Sequence, residues 1–235
     1  NGSGDGGNLT IKAGRPVLVN ANITTDNGNL TLKANATNAN GAVNQRDSGA
    51  APITLASGTT INVGTGVFTA SMDTGAGKTN TNSGDITLSN VTAGSLVVNN
   101  GGNTSGSDIL DNGVLTIAGT SSFTTSVSNA VITLDSANAF TGAVTINTTG
   151  SSGNATIDNG TTAFNVAASS VGGNLTLTSG NSITDSGTLT VGGNLAAITD
   201  ANSGLINLGT LAVDGTVAPV SYTHLRAHET DSYLV

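Results

Sequence analysis

Few residues in this chain could do chemistry, and their surroundings decide what they are for. Asp73-Thr74-Gly75 and Asp185-Ser186-Gly187 have the form of paired loops whose two carboxylates share one proton. Asp47-Ser48-Gly49 is a third copy, so the tripeptide recurs where aspartate caps a turn that glycine completes. Gly75-Ala76-Gly77-Lys78-Thr79 ends like a phosphate-binding loop, but Met72 stands where that loop needs glycine. The polar run Thr79-Asn80-Thr81-Asn82-Ser83-Gly84 then fails to supply the helix whose amides would face a phosphate. Gly2-Ser3-Gly4-Asp5-Gly6-Gly7-Asn8-Leu9 loosely matches a calcium-binding nonapeptide. It occurs once, whereas such sites complete their coordination from stacked copies. Calcium at corner aspartates such as Asp26, Asp85, Asp158 and Asp200 is therefore unsupported, and no metal ligand is assigned.

His224 and His228 stand four apart beside Glu229, a spacing a metal could use. They are both histidines of the chain and its single glutamate, and all three fall in the tail from Pro219. Both tyrosines, Tyr222 and Tyr233, lie there too. The tail, including SYTHLRAHET, resembles translated sequencing-adapter read-through, so 219–235 is expected not to be native sequence. Without a histidine before 224 no Ser/His/Asp set exists. Carbohydrate-cleaving β-helices use clustered Asp, Glu, Arg or Lys, which is hard to assemble here because residues 1–218 have no Glu and only five basic residues. No catalytic or cofactor-binding residue is assigned, and the chain is expected not to be an enzyme.

What remains is the scaffold. The stretch 171–195, VGGNLTLTSGNSITDSGTLTVGGNL, alternates apolar residues with threonine in short runs led in by glycine. Such alternation puts Leu, Ile and Val on one face of a strand and Thr on the other. The pattern Gly-x-apolar-x-apolar starts at Gly113, Gly153, Gly173 and Gly193, the last three 20 residues apart. Gly7-Asn8-Leu9 and Gly28-Asn29-Leu30 are 21 apart, and Gly187-Thr188-Leu189 and Gly209-Thr210-Leu211 are 22 apart. Self-similarity at this step marks a solenoid, whose coils share one core because none can bury its apolar face alone. The expected fold is all-β, a parallel β-helix with coils of about 20 residues. Residues 1–218 would then make about ten or eleven coils. Asn27-Gly28, Asn40-Gly41, Asn112-Gly113 and Asn159-Gly160 are good hairpin turns and favour the competing antiparallel sandwich. A constant step near 20 weighs for the solenoid.

The polar run 99–112, NNGGNTSGSDILDN, is read as a protruding loop or a seam between repeat subtypes. Phe123, Phe140 and Phe164 recur at about one coil and are read as core rings. Asn8, Asn22, Asn29, Asn90, Asn154 and Asn174 each begin an Asn-x-Thr acceptor, which follows from Asn at corners and Thr on the outward face.

Only 9% of the 235 residues are charged and 3% aromatic, with 33 Gly and no Cys or Trp. A globular enzyme usually carries more of both charge and aromatic bulk. The net charge of −8 argues against nucleic acid or an anionic membrane surface as partner. No run of about 18 apolar residues is present to insert in a membrane. With neither a leader pattern nor capping elements, the chain reads as an internal piece of something longer.

GGNLTL, NITTDNGNLTLKA, GDITL and SITDSGTLTVGGNL together resemble the repeat region of filamentous-haemagglutinin-like exoproteins. These are large bacterial adhesins exported by two-partner secretion or related autotransporter routes. The resemblance covers most of 1–218 and implies a right-handed parallel β-helix shaft at the bacterial cell surface or released outside it. It also implies an outer-membrane secretion partner for the parent protein and contact with host or biofilm glycans and proteins. The family's Asn-Pro-Asn secretion motifs are not seen, since none of Pro16, Pro52 and Pro219 follows Asn. No binding residue carries over. The second reading is a polysaccharide-binding or polysaccharide-cleaving β-helix.

Overall fold

Leucine and threonine take opposite sides where the alternation places them. In the strand Leu175–Ser179, Leu175 and Leu177 are fully buried while Thr176 and Thr178 face outward. A computed structural model describes residues 6–36, 49–73, 84–102, 106–200 and 204–221. It is an all-β, parallel β-solenoid of about 8 turns. Its walls are sheets of twelve, nine and five strands; the five-stranded one runs only from Ile23–Thr24 to Ala139–Phe140. The pairings among the described residues are parallel, Ala155↔Leu175 and Leu175↔Leu195 among them. The antiparallel sandwich is thereby excluded, and Asn27-Gly28 and Asn159-Gly160 are corners between walls rather than hairpin tips. Asn27 lies in the left-handed region at φ 69°, as does Asp26 at φ 50°. Short polar side chains tolerate that conformation.

Coils average about 23 residues, so the expected ten or eleven coils are too many. Coil-to-coil partners are 20 residues apart at Asn154 and Asn174, and 23 apart at Asp108 and Val131. Near the N-terminal end they are 38 apart, as between Asn22 and Thr60. The strands there still pair rung to rung, Ile23 with Ile61 and Leu30 with Phe68.

Glycine columns explain how successive corners approach so closely. Gly173 N–H donates to Gly153 O at 3.1 Å, Gly193 to Gly173 at 3.0 Å, and Gly215 to Gly193 at 3.0 Å. A second column, Gly66, Gly94 and Gly119, is joined in the same way at the entrance to the twelve-stranded sheet. A Cβ on Gly119 would stand 2.5 Å from Gly94 O, closer than any side chain allows. Gly113 does not belong to the column of Gly153, Gly173 and Gly193. It leads into Leu115–Ile117 of the five-stranded sheet, a different corner with the same local pattern.

The interior is one continuous apolar core of Leu, Ile, Val, Ala and four buried phenylalanines, Phe68, Phe123, Phe140 and Phe164. Phe123 and Phe140 come from different walls and meet edge to face, ring centroids 5.6 Å apart. Beyond Val144–Thr149 the largest sheet forks, because Phe164–Val166 and Ser169–Val171 both pair with that strand. The polar run 99–112 is partly built into the walls: Ile109–Asp111 is a rung between Ile86–Leu88 and Ile132–Leu134. The last described strand, Val217–Ser221, pairs with Leu195–Thr199 and carries three residues of the tail. His224, His228 and Glu229 lie outside the described residues.

Candidate functional site

Asparagine and aspartate at the corners are the most regular chemical feature of the surface. Each offers a side-chain oxygen to a backbone N–H of the next coil, a donor that a corner would otherwise leave unpaired. At the entrance to the nine-stranded sheet, Asp108 N–H donates to Asp85 Oδ1 at 3.0 Å and Val131 N–H to Asp108 Oδ1 at 2.8 Å. Further along, Asn174 N–H donates to Asn154, Asn194 N–H to Asn174, and Thr216 N–H to Asn194, at 2.8 to 2.9 Å. Asn8, Asn22, Asn29 and Asn90 make the same bond to Asn29, Thr60, Val67 and Val114. The six asparagines Asn8, Asn22, Asn29, Asn90, Asn154 and Asn174 therefore hold the neighbouring coil through their carboxamide oxygens. The signal was present in the sequence as Asn recurring at the coil step, but its bracing role was not read.

Four asparagines turn inward instead: Asn35, Asn100, Asn138 and Asn159 are buried at corners. Asn159 accepts from Phe140 N–H at 2.7 Å and donates to the carbonyls of Phe140, Thr162 and Ala163. Asn138 accepts from Leu115 N–H and donates to Leu134 O and to Asp111 Oδ2, the latter at 2.8 Å. Nothing in their sequence context separates these from the outward ones.

The carboxylates serve the same geometry. Asp185 accepts from Gly209 N–H at 2.7 Å and Thr210 N–H at 2.9 Å, and the Gly209 bond chiefly holds its pKa below the usual value. It braces a corner of the next coil rather than the turn of its own Asp-Ser-Gly tripeptide. Asp73 is not brought to it: their strands are five rungs apart in the largest sheet, about 24 Å at the spacing of neighbouring strands. No shared proton is geometrically open to them. Asp47-Ser48, the Gly75–Thr79 motif and residues 2–5 of the nonapeptide lie outside the described residues. Among the described residues no group of three or more His, Asp or Glu side chains could hold a metal. No helix among them is long and apolar enough to cross a membrane.

Burial raises the pKa of Asp85 and of Asp111. For Asp85, desolvation and the charge of Asp108 outweigh the stabilising backbone bond. A folded-state pKa above the unfolded value penalises folding at neutral pH, and the penalty fades as pH falls through the folded pKa. Asp85→Asn keeps the oxygen that receives Asp108 N–H and reproduces what Asn154, Asn174 and Asn194 do in the same column. Its melting temperature is expected to exceed the parent's at neutral pH, with the gap closing on acidification into the carboxylate range. Thermal unfolding of both proteins across that range checks it; a gap that widens in acid would overturn the burial argument.

Lys12, Arg15 and Lys33 are the basic side chains among the described residues, all in the first two coils. Lys33 is paired with Asp73 at 2.8 Å. Elsewhere the outer faces carry mainly hydroxyl and amide side chains, interspersed with exposed aspartates such as Asp135 and apolar residues such as Leu18 and Val97. Thr133, Thr156 and Thr176 align in successive rungs of the nine-stranded sheet, and Ser122, Thr145, Thr124 and Asn147 form two such columns on the largest sheet.

No curated protein and no solved structure matches the chain. Residues 74–147 and 152–218 each match a family described as repeats of unknown function, DUF5649. Each matched block spans about three coils of the solenoid. The chain belongs to the DUF5649 family of repeats of unknown function.

Proposed function

We propose that this solenoid is a structural and adhesive shaft segment of a large secreted or surface-displayed bacterial adhesin of the filamentous-haemagglutinin-like kind. The observation that supports it is the unbroken parallel ladder, in which the nine-stranded sheet runs from Val17–Val19 to Val217–Ser221. A chain built this way spends its residues on length and regularity. Its outer columns of Thr, Ser and Asn offer broad polar contact and concentrate no reactive groups, so the segment is read as non-enzymatic. In the parent protein it would stand outside the cell after passage through an outer-membrane secretion partner, meeting host-surface or biofilm glycans and proteins.

The test is a glycan array together with a reducing-sugar release assay on the full chain. Weak binding spread over many polymers, with no sugar released, is the expected outcome. Saturable binding to one polysaccharide with new reducing ends would overturn the shaft reading in favour of a polysaccharide-cleaving β-helix.

A further inference from the structure

Four Asn-Gly pairs lie among the described residues, at Asn27, Asn100, Asn112 and Asn159. This dipeptide can convert itself to aspartate or isoaspartate, because glycine, lacking a Cβ, leaves its backbone nitrogen unshielded. The reaction needs a carboxamide free to rotate and a glycine N–H free of other partners. Three of the four pairs deny both. Asn27 Oδ1 accepts from Thr65 N–H while Gly28 N–H donates to Thr25 O. Asn100 is fully buried, donates to Gly84 O and Asp108 O, and accepts from Gly102 N–H, while Gly101 N–H donates to Met72 O. Asn159 is held by four hydrogen bonds, and Gly160 N–H donates to Asp158 Oδ1 at 2.8 Å.

Asn112 differs in every respect. Its side chain is exposed at the corner between Ile109–Asp111 and Leu115–Ile117. Its backbone is fixed by donation to Leu88 O at 2.9 Å. Neither its carboxamide nor Gly113 N–H makes a hydrogen bond to a described residue. The neighbouring bond, Val114 N–H to Asn90 Oδ1, passes this pair by.

We infer that Asn112-Gly113 is a self-modifying site of the solenoid, the one described Asn-Gly pair that the folded state leaves free to deamidate. The deprotonated Gly113 nitrogen attacks the Asn112 carboxamide carbon, the bond to the amide nitrogen breaks, and ammonia leaves. Water then opens the resulting five-membered imide at either carbonyl, giving isoaspartate or aspartate at position 112. Either product adds a negative charge next to Asp111 on an otherwise neutral corner, and isoaspartate also lengthens the main chain there by one carbon.

The full chain, aged in mildly alkaline buffer, is digested and its Asn-Gly peptides are quantified by mass spectrometry. An isoaspartate-specific methyltransferase marks the rearranged product. A second sample is aged unfolded in urea. Deamidation at Asn112 is expected to run at least about tenfold faster than at Asn27, Asn100 and Asn159 in the folded chain, since those pairs react only from locally opened states. In urea the four rates should converge. Equal rates in the folded chain, or a folded-state ranking retained in urea, would overturn the assignment.

Discussion

Replacing Leu175 with aspartate is expected to unfold the coils around it, whereas the same change at Thr176 should be close to silent. Leu175 is fully buried between Ala155 and Leu195 in the interior ladder of the nine-stranded sheet. The substitution loses the packing of a core leucine, about 2–5 kcal/mol, and adds an unpaired charge where no partner exists. The sum rivals the whole stability of an ordinary domain, about 5–15 kcal/mol. Because each coil touches only its neighbours, the loss should spread locally rather than abolish the rod. Hydrogen exchange should show protection vanishing in the rungs Ala155–Asp158, Leu175–Ser179 and Leu195–Thr199 while Leu30–Ala34 keeps its own. Thr176 faces outward in a column with Thr156 and Ala196, and neither neighbour carries a charge to repel a new carboxylate. A shift within about 0.5 kcal/mol is expected there. Equal losses for the two variants would mean that the inward and outward faces are misassigned.

The second large effect is expected at a residue with no apolar surface to lose. Asn159→Ala removes four hydrogen bonds at once from a corner that water does not reach. Phe140 N–H and Phe140 O lose this partner in the interior, whereas Thr162 O keeps its bond from Ser179 Oγ. Each buried group left unpaired costs about 1–3 kcal/mol, so a total near 4 kcal/mol is reasonable even if the corner relaxes. Asn159→Asp should do no better, since a carboxylate can still receive Phe140 N–H but must face three carbonyl oxygens. Chemical denaturation of both variants settles it. A change below about 0.5 kcal/mol would show that the corner repairs itself with solvent.

Those two residues also mark where sequence reading works and where it fails. Leu175 could be placed inward from its threonine neighbours alone, because a strand alternates its faces and each later coil repeats the pattern 20 residues on. Near the N-terminal end the partners are 38 residues apart, so periodicity fades although the rungs stay stacked, and the coil count comes out too high. Gly113 shares the Gly-x-apolar pattern of Gly153 yet opens a different wall, because that pattern announces any corner. Asn159 and Asn154 have similar local contexts, yet one faces the core and the other the solvent. The direction in which a corner folds its side chain depends on the wall that follows, and no short-range pattern carries that information. The third copy of Asp-Thr/Ser-Gly spoke for a structural role, and Asp185 has one, though toward the next coil rather than its own turn.

The near-identical rungs have a consequence at the level of the gene. Residues 155–174 and 175–194 begin on equivalent positions, since Ala155 pairs with Leu175 and Leu175 with Leu195. Excising one such block would join Asn174 to Leu195, and the asparagine would still brace the same corner against the same kind of strand. In-frame gain or loss of one such block can therefore add or delete a whole coil without creating a mismatched junction. Reach becomes a heritable quantity that changes in steps of about one strand spacing, roughly 4.8 Å, with the cross-section unchanged. Point mutation seldom offers variation so large and so well tolerated.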